Sequence, residues 1–142
     1  MKTISYLPQL LTVFAISTAA ASQVPWGFPL NTHFTAISLN GHDYSAKSPT
    51  VTFKIDPRTN ALSGSGFAGC NTWIGRIDVE GPRFGVAELG TTKMLCADRM
   101  TAETDFLAAL KHVTSWRMDG QTLVLEGERT TLLLSQDTAG RR

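Results

Sequence analysis

Cys70 and Cys96 are the two cysteines of the chain, and what they can do depends on what stands near them. A redox dithiol needs a short C-x-x-C spacing, and a structural zinc ion needs four ligands. No C-x-x-C occurs. Two further zinc ligands would have to come from His33, His42 and His112, which are isolated in sequence from one another and from both cysteines. The run Gly64-Ser65-Gly66-Phe67-Ala68-Gly69 fits G-x-G-x-x-G, the phosphate-cradling pattern of dinucleotide sites. That chemistry needs a helix N-terminus directly after the glycines to receive the pyrophosphate. Here Cys70 and Asn71 follow, and then an alternating stretch over 73–79 that predicts a strand. The glycines are therefore read as permitting sharp bending or close backbone approach. Neither G-x-S-x-G nor H-E-x-x-H is present. Glu103 and Asp105 fall on one predicted helix, but two apart they do not face each other, and both are read as solvated surface charges. No catalytic, cofactor-binding or metal-ligating residue is assigned.

The compartment decides how the cysteine pair reads. Residues 1–22 have a positive start at Lys2, an apolar stretch over 7–16 centred on Leu10, Leu11, Val13 and Phe14, and then the small residues Ala19-Ala20-Ala21-Ser22. This is the three-part pattern of a cleavable secretory signal. The apolar run is well short of the ~20 residues that cross a bilayer, and Pro8 interrupts its start. No cysteine follows the small residues, so no lipid attachment is expected. The expected location is the periplasm or the extracellular medium, with no membrane span in the mature chain. In an oxidising compartment an isolated cysteine pair is expected to form a disulfide. Closing a loop of this length contributes roughly 3–4 kcal/mol by the chain-entropy argument. Length and composition bound the rest. The 142 residues suggest one domain over 23–142, and the formal net charge of +1 gives no reason to expect nucleic acid as a partner.

The elements that must position these residues are mostly strands. Residues 33–39 predict a strand closed by Asn40-Gly41, a pair that tolerates the positive φ of a tight hairpin. Val51, Phe53 and Ile55 alternate with Thr52 and Lys54, the period-two pattern of a half-buried strand. Further strands are expected over 62–68, 73–79, 84–89, 113–118, 121–126 and 130–135, the last group containing an Asp119-Gly120 turn. One helix is expected up to about His112, capped by Asp98 or Thr101, with Met100, Phe106, Leu107 and Leu110 at helical spacing. Pro25 and Pro29 argue against regular structure upstream. Trp26 and Phe28 are expected to pack on the body, an exposed binding segment being the alternative. The expected fold class is α+β and mainly β: a curled or barrel-like antiparallel sheet of about seven or eight strands with one helix packed on it.

Gly69-Cys70-Asn71, followed by the aromatic strand beginning Thr72-Trp73-Ile74, resembles the signature of the META-domain, HslJ-like family of small bacterial envelope proteins. The resemblance continues through Thr91-Thr92-Lys93-Met94-Leu95-Cys96, the E-x-x-F-L-x-x-L run of Glu103 to Leu110, and Trp116, Asp119-Gly120 and Leu123-Val124-Leu125. It covers about 34–135. The family usually carries a tryptophan in its first strand, where this chain has Phe34. The resemblance implies a compact β-fold with one helix; it does not imply an enzyme activity, and a stress-related or accessory role is expected. It also implies an architectural motif: Gly69 bends the chain, Cys70 bridges to the loop before the helix, and the Asn71 amide satisfies loop backbone groups. The expected function is that of a monomeric, non-enzymatic envelope protein that binds or steadies a protein or small-molecule partner. A secreted hydrolase inhibitor and a small-molecule or lipid carrier using the sheet interior are the alternatives.

Overall fold

The computed structural model describes residues 24–44 and 47–138, together with Thr3, Thr12, Val13 and Ala15; the expected signal segment over 1–22 otherwise lies outside the described residues. The element order is β1 (His33–Leu39), β2 (His42–Asp43), β3 (Thr50–Ile55), β4 (Leu62–Phe67), β5 (Thr72–Glu80), β6 (Arg83–Thr91), α1 (Met100–His112), β7 (Ser115–Asp119), β8 (Thr122–Glu126) and β9 (Thr131–Gln136). The strands form one antiparallel sheet in the order β2-β1-β3-β4-β5-β6-β7-β8-β9, and β1 also pairs with β9. That last pairing closes the sheet into a barrel, with β2 as a flap outside it. Closure removes the exposed edges that an open sheet of this length would present.

Period-two alternation fills the interior. Leu123 and Leu125 on β8 stand opposite Leu134 and Leu132 on β9, and all four are fully buried together with Phe34, Val51, Phe53 and Phe106. Phe28 packs its ring 4.9 Å from those of both Phe53 and Trp116, edge-on to the latter. Trp26, by contrast, is fully exposed. The expectation that both aromatics pack on the body holds for Phe28 alone. Gly27 at φ +85° turns the chain between them, so the two rings cannot share one side of an extended segment.

The barrel has one weak seam. Strands β6 and β7 meet through the single residue pair Arg83 and Ser115, because the connection between them carries α1. The helix buries Glu103, Phe106, Ala109 and Leu110, and Phe106 meets the Trp73 ring at 6.2 Å between centroids. Lys111 and His112 lie in its last turn, where positive charge is favourable. Its start differs from expectation. Arg99 holds the N-cap position and no side chain caps the helix; the Asp98 carboxylate lies against the Arg99 guanidinium at 3.6 Å instead, and Thr101 is already inside the first turn.

Asn40 and Gly41 both take positive φ, 51° and 80°, and the Asn40 side chain accepts a hydrogen bond from Thr131 N–H at 2.8 Å. The strand count exceeds expectation by the short β2, whose two residues are both exposed and so carry no alternation. Gly66 shows why glycine recurs in β4. A Cβ there would sit 2.0 Å from the Thr50 carbonyl oxygen, which receives the Trp73 indole N–H at 3.0 Å. At Gly85 the same added atom would meet nothing within 4 Å. Gly66→Ala is therefore expected to lower stability by about 1–3 kcal/mol or more, while Gly85→Ala stays near wild type. Urea unfolding of the two variants checks this; equal losses would contradict the packing described.

Candidate functional site

The Gly69-Cys70-Asn71 segment joins β4 to β5. Gly69 takes φ +126°, a region that side chains rarely enter, and Ala68 N–H donates to the Asn71 carbonyl at 2.7 Å. The resulting tight loop turns two successive N–H groups inward. Such paired N–H groups make a concave anion receptor. The anion that fills it belongs to the protein: Glu103 Oε2 accepts from Cys70 N–H at 2.9 Å and from Asn71 N–H at 2.5 Å. Its Oε1 accepts from the Asn71 side-chain amide at 2.8 Å. Glu103 is 4% exposed and Asn71 is 2% exposed, so no bulk water competes for these bonds.

This corrects the reading of Glu103 as a solvated surface charge. The residue lies in the first turn of α1 and faces the core on the same stripe as Phe106 and Leu110, three and seven positions on. That spacing was the available signal. Asp105, two residues on and about 200° round the helix, is exposed as expected.

Asn71 connects the receptor to the second cysteine segment. Its Oδ1 accepts from Met94 N–H at 2.6 Å and from the Thr92 hydroxyl at 3.0 Å. Its amide group also donates to the Met94 carbonyl at 3.2 Å. The side chain thus pairs with Met94 as a neighbouring strand would. Thr92 closes the arrangement, its hydroxyl receiving Thr72 N–H at 3.2 Å. The Asn71 amide satisfies loop backbone groups as the family resemblance implied. The Cys70–Cys96 disulfide is formed, with Cα atoms 5.9 Å apart and a sequence separation of 26. It ties the β4–β5 loop to the segment entering α1.

The histidines do not join this cluster. His33 on β1 lies 3.4 Å from the Asp137 carboxylate, while His42 and His112 stand beside a cleft on another face of α1. That cleft is lined by Leu39, Tyr44, Asp105 and Ala109 among others, and the side chains of the core cluster, Phe34, Phe53 and Phe106 among them, pack inside the barrel.

Chemically, the cluster is a clamp. Both sulfurs are spent on each other, and the Glu103 carboxylate is spent on loop donors. Burial pushes the Glu103 pKa up and is the largest single influence, but the hydrogen bonds from Asn71 and Cys70 together outweigh it and hold the carboxyl below its ordinary value. The stabilisation from this depressed pKa is fully present above the unfolded-state value of about 4.3, and it is lost as pH falls through the lower folded value.

Glu103→Gln puts a donor where the carboxylate accepts three bonds, and a loss of roughly 2–4 kcal/mol is expected at neutral pH. The gap between wild type and this variant should narrow as pH falls below about 4; urea midpoints measured across that range check both statements, and a pH-independent gap would contradict them. Mass spectrometry of the unreduced native protein should show a mass lower by two hydrogens than the dithiol form. Cys70→Ser is expected to cost about 3–4 kcal/mol; two free thiols in the native protein would refute the bridge.

Comparisons with known proteins agree with this architecture. An NMR structure of a protein from Burkholderia xenovorans is 22% identical, with a TM-score of 0.61 over 82% of this chain and 95% of that one. A second solved protein, also by NMR, is 22% identical, with a TM-score of 0.55 over 73% of this chain and 87% of that one. At that identity the likeness concerns the fold. No curated protein gives a significant match. The META-domain family model matches residues 28–139, a span that contains the whole barrel, the helix and the Glu103 clamp, and the chain belongs to the META-domain family.

Proposed function

We infer that the chain is an exported, non-catalytic module of the cell envelope that presents a braced apolar loop to a partner. The observation that carries this reading is the contrast within one segment. Asn71, Thr92 and the disulfide hold residues 92–96 from behind, while Leu95 is 91% exposed and Met94 59% exposed. Ile74, exposed on the neighbouring strand β5, adds to the apolar character of this end of the barrel. Burying a leucine side chain of this kind contributes about 1.5–3 kcal/mol, and a loop already held rigid loses little entropy on docking. The disulfide supports export, since such bridges persist in oxidising compartments. An accessory or stress-related role accords with the family.

A second reading, a secreted hydrolase inhibitor, draws on the same braced loop and on the full exposure of Trp26. Small rigid loops with an apolar tip suit insertion into an enzyme cleft.

Crosslinking in the native compartment tests the first reading. Wild type is expected to capture a defined partner, and Leu95→Asp to lose it with an unchanged melting temperature. Identical capture by both proteins, or no capture and no envelope phenotype on deletion, would remove this reading. Assays against a panel of proteases and lysozymes test the second, which falls if no enzyme is inhibited.

A further inference from the structure

Residues 92–96 alternate in how they are held. Thr92 donates its N–H to the Thr72 carbonyl at 3.1 Å. Met94 is gripped at both its N–H and its carbonyl by the Asn71 side chain. Cys96 is fixed by the disulfide, and its carbonyl accepts the Arg99 N–H at 2.9 Å. Lys93 and Leu95, between them, are exposed, and their backbone N–H and carbonyl groups have no hydrogen-bond partner among the described residues. One side-chain amide can engage both groups of a residue only when that residue is extended, with its N–H and carbonyl on the same side. In an extended chain the groups of the adjoining residues point the other way. The free groups of Lys93 and Leu95 are therefore directed away from the barrel, as a short strand edge with no partner strand.

An open edge with an apolar side chain standing beside it has the form of a protease substrate. Serine endopeptidases take up a substrate as an added strand. They bond the backbone of the residue before the scissile bond and of the residue two before that one, and pass over the residue between. The first of these places its side chain in the specificity pocket. Leu95, 91% exposed, suits an apolar pocket; Lys93 is the second bonded residue and Met94 the one passed over.

The Leu95–Cys96 peptide bond is anchored on both sides. When a serine hydroxyl attacks the Leu95 carbonyl carbon, an ester C–O bond forms, the C–N bond breaks, and the departing Cys96 nitrogen takes the proton. That amine stays tethered to Cys70 through the disulfide, and the acyl end stays held through Met94 by Asn71. The amine remains beside the ester, so it reforms the peptide bond and releases the serine faster than water hydrolyses the ester. A loop built in this way occupies the enzyme instead of serving as its substrate.

We propose that residues 93–96 form an inhibitory loop for a serine endopeptidase with an apolar specificity pocket, and that Leu95 enters that pocket. This rests on the hydrolase-inhibitor reading above and names the enzyme class and the residue that selects it.

The test is inhibition of chymotrypsin, subtilisin and trypsin by the oxidised chain, with lysozyme as an unrelated hydrolase. Chymotrypsin or subtilisin is expected to be inhibited, and trypsin about tenfold more weakly or less. Leu95→Asp should weaken inhibition about a hundredfold, and Leu95→Lys should transfer it to trypsin. Both changes fall at an exposed position and should leave the melting temperature unchanged. Long incubation should yield a chain nicked between Leu95 and Cys96, whose two pieces separate only on reduction. The proposal is overturned if neither chymotrypsin nor subtilisin is inhibited, if Leu95→Asp inhibits as well as wild type, or if the loop is cut rapidly without inhibition. Inhibition of lysozyme alone overturns it too, while leaving the broader hydrolase-inhibitor reading in place.

Discussion

A buried carboxylate held by three donors fixes the relation between the helix and the barrel. Glu103 enters from α1, and all three donors come from Cys70 and Asn71 between β4 and β5. No sheet ladder could make this connection. The helix sits in the connection between β6 and β7, where strand pairing is reduced to Arg83 and Ser115, so cohesion at that seam must come from side chains. Phe106 and Leu110 supply apolar area without direction. Glu103 supplies direction, since its oxygens meet their donors in only one placement of the helix.

The clamp is asymmetric in its energetics. A carboxylate out of water is costly by itself, and so are two buried N–H groups without acceptors. Together they cancel most of that cost, but removing one partner exposes all of it. The disulfide acts on the other side of the equilibrium, chiefly by restricting the unfolded chain. The two devices join the same loop to the same segment by independent physics. The covalent tie leaves the helix free to rotate, and the carboxylate removes that freedom.

Much of this was legible in the sequence, and the losses are instructive. The half-buried strands announce themselves by alternation, as in Val51-Thr52-Phe53, and Asn40-Gly41 marks its hairpin by the φ it tolerates. The family resemblance placed the Gly69-Cys70-Asn71 bend and the Asn71 role. Glu103 was misread because glutamate is seldom buried unless paired, and its partners lie more than thirty residues away; only its shared stripe with Phe106 and Leu110 spoke against that prior. The short β2 has too few residues to show a period. Closure of β1 on β9 joins strands from opposite ends of the domain, and no local pattern encodes that choice. The exposure of Trp26 beside a buried Phe28 turns on one positive-φ glycine, whose effect on direction cannot be read from hydropathy.

The inward constraint also governs the outer faces. One residue along a helix is a rotation of about 100°. If α1 slipped by a single residue, Glu103 would leave its donors, and the stripe of Ala102, Asp105 and Ala109 would turn away from the β1–β2 hairpin. The same slip would change the path of residues 92–99 and with it the setting of Met94 and Leu95. The cleft and the exposed loop are thus geometrically dependent on a carboxylate that neither of them contains. A side chain with no open chemistry of its own can in this way decide which chemistry its neighbours offer to the solvent.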